Sequence, residues 1–124
     1  MRSEWYPSCM DELLLAVLRA LPLGIIVVDA DGRVVAWNTP AEEFITAVRR
    51  PTLFEGMTLD EAHSEESRRG MTAMVQRLRE GRTAPRKRVL GEGGQVFDVS
   101  YEGLFSRAGA FLGIAQVIAE THEG

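Results

Sequence analysis

Residues 24–44, GIIVVDADGRVVAWNTPAEEF, constrain the fold more than any other part of the chain. Ile25, Ile26, Val27 and Val28 are β-branched, too short a run for a helix and suited to a strand buried on both faces. Asp29-Ala30-Asp31-Gly32 is a turn signal in which Gly32 can take positive φ. Val34, Val35 and Trp37 read as the returning strand of a hairpin. The next residues open a helix: Thr39 is a candidate N-cap, Pro40 suits the first helical position, and Glu42 completes a T-x-x-E capping box. Ala41, Phe44, Ile45 and Val48 then fall on one apolar helical face.

A chain of 124 residues is one domain, with room for an ordinary core and not for two. Hydrophobic residues at 45% and charged residues at 26% are usual for a globular protein. A net charge of −4 argues against nucleic acid as a general partner. Cys9 is the only cysteine, which excludes an internal disulfide and fits a cytoplasmic location. Residues 13–28 are apolar, but Arg19 and Pro22 interrupt them and a spanning helix needs roughly twenty residues. Neither a signal peptide nor a membrane span is expected.

Residues 1–8 read as a lead-in, followed by a helix over about 9–20 whose end is set by Pro22. Met10, Leu14, Val17, Leu18 and Leu21 form one stripe of that helix, expected to cover part of a sheet. Leu13 and Leu15 lie off the stripe, so Leu13, Leu15 and Val17 are the candidate contacts with a second subunit. Thr58-Leu59-Asp60-Glu61 is a second capping box. Ser64 can cap a long helix with Glu65 and Glu66 in its first turn, where the helix dipole favours acids. Met71, Met74, Val75 and Leu78 give that helix its apolar stripe, and Gly81 ends it. Strands are expected at 86–90, from 95 onward, and at 111–119. Phe97, Val99, Tyr101 and Phe105 alternate inward, and the last strand, apolar on both faces, belongs at the centre of its sheet. Strands gathered around a helical middle imply an α+β domain with an antiparallel sheet.

The D-x-D-G hairpin followed by Asn38 resembles the start of a PAS sensor domain. His63-Ser64-Glu65-Glu66-Ser67 is similar to the H-P-x-E-S pattern of one PAS subgroup, with Ser64 where Pro is usual, and residues 95–113 resemble that subgroup's last two strands. The resemblance implies five strands in the order 2-1-5-4-3, helices enclosing a pocket on one face, and signalling through a homodimer to an output domain or partner protein of a bacterial system. It places the dimerisation helix at 9–21, the PAS domain at 22–120, and a linker start at 121–124. Glu120-Thr121-His122 stands where family members commonly carry D-I-T.

No catalytic motif is present: only His63, His122 and Cys9 supply soft or imidazole groups, and no G-x-S-x-G, P-loop or H-E-x-x-H occurs. The chain is therefore read as a non-enzyme. His63, Ser67, Met71, Met74 and Leu78 share a helical face if the long helix begins a turn early, and with Tyr101 they are the candidate pocket residues. Some PAS sensors hold haem through a histidine here, so the resemblance implies haem with His63 as metal ligand; otherwise His63 caps the helix start. The methionines read as core filler, and Met71 lies about 12 Å along the helix from His63. A ligand sensor needs a pocket of roughly 300 Å³, whereas a ligand-free dimerisation module needs none. The run Arg77, Arg79, Arg82, Arg86, Lys87 and Arg88 reads as a solvated basic face.

Overall fold

A computed structural model describes residues 8–62 and 65–121, with the side chains of 8–11, 60, 62 and 65–67 left aside. Helix α1 (Ser8–Ala20) leads into the hairpin β1 (Gly24–Asp29) and β2 (Val34–Trp37). Three helices follow, α2 (Thr39–Ala47), α3 (Leu59–Ala62) and α4 (Glu65–Arg79), and then β3 (Lys87–Leu90), β4 (Val96–Phe105) and β5 (Phe111–Thr121). The strands form one antiparallel sheet in the order β2-β1-β5-β4-β3. The strand order implied by the resemblance is thus the one observed. β5 is central, as a strand apolar on both faces has to be.

Alternation along the strands decides where the core sits. Ile26 and Val28, Phe97, Val99 and Tyr101, and Ile114 and Ile118 face inward and are buried. Phe44 and Ile45 of α2 and Met71, Met74 and Leu78 of α4 close over them in one cluster. The Phe44 and Phe97 rings meet edge to face, 4.9 Å between centroids. The opposite sheet face carries Ile25, Val27, Ala115, Val117 and Ala119, all half-buried.

Local chemistry fixes the turns. Asp29 Oδ1 accepts from the backbone N–H groups of Asp31 and Arg33, and Gly32 sits at φ 81°. Thr58 and Glu61 form the expected reciprocal cap: the Glu61 carboxylate accepts from the Thr58 N–H and hydroxyl, and Thr58 Oγ1 accepts from the Glu61 N–H. Those bonds hold the exposed Glu61 carboxyl below its ordinary range. Gly113 has a steric role, because a Cβ there would lie 2.1 Å from the Val28 carbonyl oxygen.

Three expectations need correction. The N-cap of α2 is Asn38, whose Oδ1 accepts from the Ala41 N–H, and exposed Thr39 is already helical. Glu42 therefore closes no capping box and instead accepts from the Trp37 indole at 3.0 Å. Phe105 does not continue the inward row: the ladder shifts register between Leu104 and Phe105, and the ring, 40% exposed, packs against Phe111. The stripe on α1 does not cover the sheet either. Leu14 and Val17 are as exposed as Leu13 and Leu15, and among the described side chains of that stripe Leu18 alone is half-buried.

The basic run is exposed but engaged. Arg79 donates to the Ala30 carbonyl and lies over the Phe111 ring, Arg77 donates to the Thr83 carbonyl, and Arg88 pairs with Asp98. Within the described residues, no helix is long and apolar enough to cross a membrane.

Candidate functional site: the interior and its helix clasp

Met71, Met74, Leu78 and Tyr101, drawn from α4 and β4, are brought together in the core at 6, 8, 2 and 5% exposure. His63 and the Ser67 side chain lie outside the described residues. The methionines belong to the buried core cluster. A small cavity among the described residues measures about 20 Å³ and is walled by Ile26, Val34, Leu53, Arg50 and Gln116 among others. That holds about one water. A macrocycle needs a pocket of several hundred cubic ångströms, more than this cavity offers.

Two polar groups break the apolar lining. Gln116 replaces an inward-facing aliphatic residue on central β5, between Ile114 and Ile118, opposite Ile26 on β1 and Tyr101 on β4. It is 7% exposed, and its Nε2 is sealed from solvent with no hydrogen-bond partner among the described residues. Arg50, placed by the loop after α2, stacks on the Phe44 ring with its guanidinium carbon 5.4 Å from the centroid. Burial pushes the Tyr101 phenol above its ordinary value, and the positive charge of Arg50 offsets part of that rise. Arg50, Ile45 and Leu53 also wall an adjoining cleft of about 250 Å³ that includes Glu42, Thr46 and Thr52.

Asn38 joins this interior to α1. It is 3% exposed, yet every polar hydrogen and both acceptor positions of its amide are used. Its Oδ1 accepts from the N–H groups of Ile25 at 2.9 Å and Ala41 at 3.3 Å. Its Nδ2 donates to the carbonyls of Leu18 at 2.9 Å and Leu23 at 2.8 Å. One side chain thus ties together α1, the α1–β1 linker, β1 and α2. Beside it, Leu15, Leu18, Val35 and Trp37 line a groove of about 210 Å³ between α1 and β2.

Sequence reasoning placed Met71, Met74, Leu78 and Tyr101 on inward faces, where they are buried, and marked Asn38 only through the family resemblance. It missed Gln116 and Arg50. A lone amide at the inward position of an apolar strand was a readable signal for Gln116. Arg50 had none, because a loop brings it to the cavity.

No curated protein matches the chain in sequence. Solved structures share its architecture. The C-terminal domain of a Streptococcus mutans protein aligns over 89% of this chain and 84% of its own length, at 21% identity and TM-score 0.74. The PAS domain of BvgS from Bordetella pertussis aligns over 93% and 88% respectively, at 17% identity and TM-score 0.67. The sensor region of a sensor histidine kinase is 25% identical over 78% of this chain, which spans 38% of that protein, at TM-score 0.60. The family described as the PAS fold matches residues 18–123. With that match and this sheet order, the chain belongs to the PAS fold family, whose domains are sensory and regulatory modules.

Proposed function

We propose that this chain is a non-catalytic regulatory module of a bacterial cytoplasmic signalling protein, in which a small molecule in the interior biases a homodimer built on α1 and so an output domain or partner protein. The observation that carries the dimer is the surface of α1. Leu13, Leu14, Leu15 and Val17 are 58, 60, 42 and 51% exposed. At 100° per residue, positions 13 to 15 with 17, 18 and 21 sweep an apolar arc of about 200°, twice what one packed face needs. Contiguous apolar surface of this kind marks an interface. A second copy is the occupant that the reading commits to, because an identical arc is self-complementary about a two-fold axis.

The reading is tested by sedimentation velocity of the intact chain beside a Leu13→Glu, Leu15→Glu double variant. Dimeric wild type and monomeric variant, both with unchanged circular dichroism, support it. Monomers in both cases at high micromolar concentration overturn it.

A ligand-free dimerisation module is the second reading, and the burial of Met71, Met74 and Leu78 in the core cluster favours it. The sealed donor on Gln116 favours the sensor.

A further inference from the structure

We propose that the cavity beside Gln116 and Arg50 takes one oxygen of the carboxylate of a compact organic acid whose remaining atoms lie in the adjoining cleft. The inference goes beyond the dimer reading and rests on different atoms. Gln116 Nε2 is a donor cut off from solvent, and Gln116 lines a cavity whose other walls are mostly apolar, so whatever meets that donor must bring an acceptor. Arg50 adds a second donor group and a positive charge at the same cavity. Among the described residues it forms no ion pair with a carboxylate, and its recorded contacts are the Phe44 ring and the field at Tyr101.

Size and charge narrow the class. A space of about 20 Å³ accepts one oxygen and no carbon skeleton. One carboxylate oxygen therefore meets Gln116 while the other meets Arg50, an arrangement that suits a planar guanidinium. The rest of the molecule has the cleft of about 250 Å³, which shares Ile45, Arg50 and Leu53 with the cavity as walls. Glu42 also borders that cleft, its carboxylate held by the Trp37 indole, and repels a second acidic group. The ligand is a monocarboxylate, with any further polar group a donor such as an amine or hydroxyl facing Glu42, Thr46 or Thr52.

The experiment titrates isotopically labelled full chain with propionate at constant ionic strength, with propionamide and succinate as comparison probes. Propionate is expected to shift the Gln116 side-chain amide and the Arg50 Nε signals saturably, and the neutral amide and the dianion to leave them in place. Arg50→Gln should weaken the apparent affinity by about tenfold or more. Gln116→Leu should abolish the response while staying folded, because it replaces an unpaired amide with an apolar side chain of similar size. A Gln116 amide that exchanges magnetisation with a buried water and ignores all three probes overturns the proposal. Equal shifts with propionate and propionamide overturn the charge argument and with it the carboxylate assignment. Neither result depends on oligomeric state, so failure here is distinguishable from failure of the dimer.

Discussion

Removing the Asn38 amide should cost this domain more than any comparable change to a polar side chain near the hairpin. Asn38→Ala deletes the cap of α2, about 1 kcal/mol by itself. It also strands the Ile25 N–H and the Leu18 and Leu23 carbonyls, all paired to Asn38 in partly buried surroundings. Each orphaned group costs about 1 kcal/mol at the low end, since water can reach part of the site. The sum is about 3–4 kcal/mol, and a domain of this size loses roughly 3–6 °C of melting temperature per kcal/mol, so a fall of about 10–20 °C is expected. Asn38→Asp separates the two halves of the amide. It keeps the acceptor for Ile25 and Ala41 but replaces the donor with a charge facing two carbonyl oxygens. Its deficit should be large at neutral pH and shrink on acidification, because a protonated carboxyl can donate to Leu18 or Leu23. The sign follows from linkage: surroundings that disfavour the anion raise the folded-state pKa, so stability is present below that pKa and lost above it. Thermal unfolding followed by far-UV circular dichroism across pH reads both variants. An Asn38→Ala shift under about 3 °C, or Asn38→Asp indistinguishable from wild type at neutral pH, would refute the reasoning.

Thr39→Ala should change stability by less than about 0.5 kcal/mol in a denaturant melt, because the side chain is exposed and caps nothing. Gly113→Ala should destabilise by several kcal/mol, about 3 or more, since its Cβ would meet the Val28 carbonyl oxygen at the β1–β5 pairing; near-native melting would show that the strands can part there. Tyr101, with its phenol pKa raised by burial, contributes stability that is complete below the ordinary tyrosine pKa and lost as pH rises through the folded value, so Tyr101→Phe should flatten the alkaline limb of a stability–pH curve. Haemin reconstitution checks the cofactor that the family resemblance implied: with His63 as ligand a Soret band is expected that His63→Ala removes, and wild type without a band would rule haem out.

Where one residue's own chemistry settles the local structure, the chain was legible in advance. The Asp29–Gly32 turn and the Thr58–Glu61 cap each close within five residues, and both form as the residue types require. The capping of α2 was ambiguous because Asn38 and Thr39 are adjacent and both suit the role. Tertiary bonds decide it: an amide can accept at the cap and donate to Leu18 and Leu23 together, whereas a hydroxyl has one hydrogen to give. Phe105 read as inward because period-two alternation assumes an unbroken ladder, and the register shift after Leu104 removed that assumption. The helical stripe of α1 predicted a helix correctly and its cover incorrectly. Periodicity reports that a face is apolar and is silent on which surface meets it. Gln116 was visible as an anomaly, while its sharing a cavity with Arg50 depended on where the chain runs after α2.

The cavity and α1 are joined by a short run of contacts, which gives the proposed sensing a physical path. Gln116 faces Ile26 across the β1–β5 pairing, and the next residue, Ile25, donates its N–H to Asn38. Asn38 in turn holds the Leu18 carbonyl in the last turn of α1, one of the groups that a helix end leaves without an internal partner. The described apolar side chains of α1 are largely exposed, so the polar bonds of Asn38 at this end help hold the helix against the domain. An anchor of that kind sets the direction of a helix without burying it. A sub-ångström movement of β1 relative to α2 would therefore appear as a change in the angle of α1, amplified along its length of about 20 Å. The same amide would have to break before the helix could move independently, which is why Asn38 variants should loosen the coupling as well as the fold.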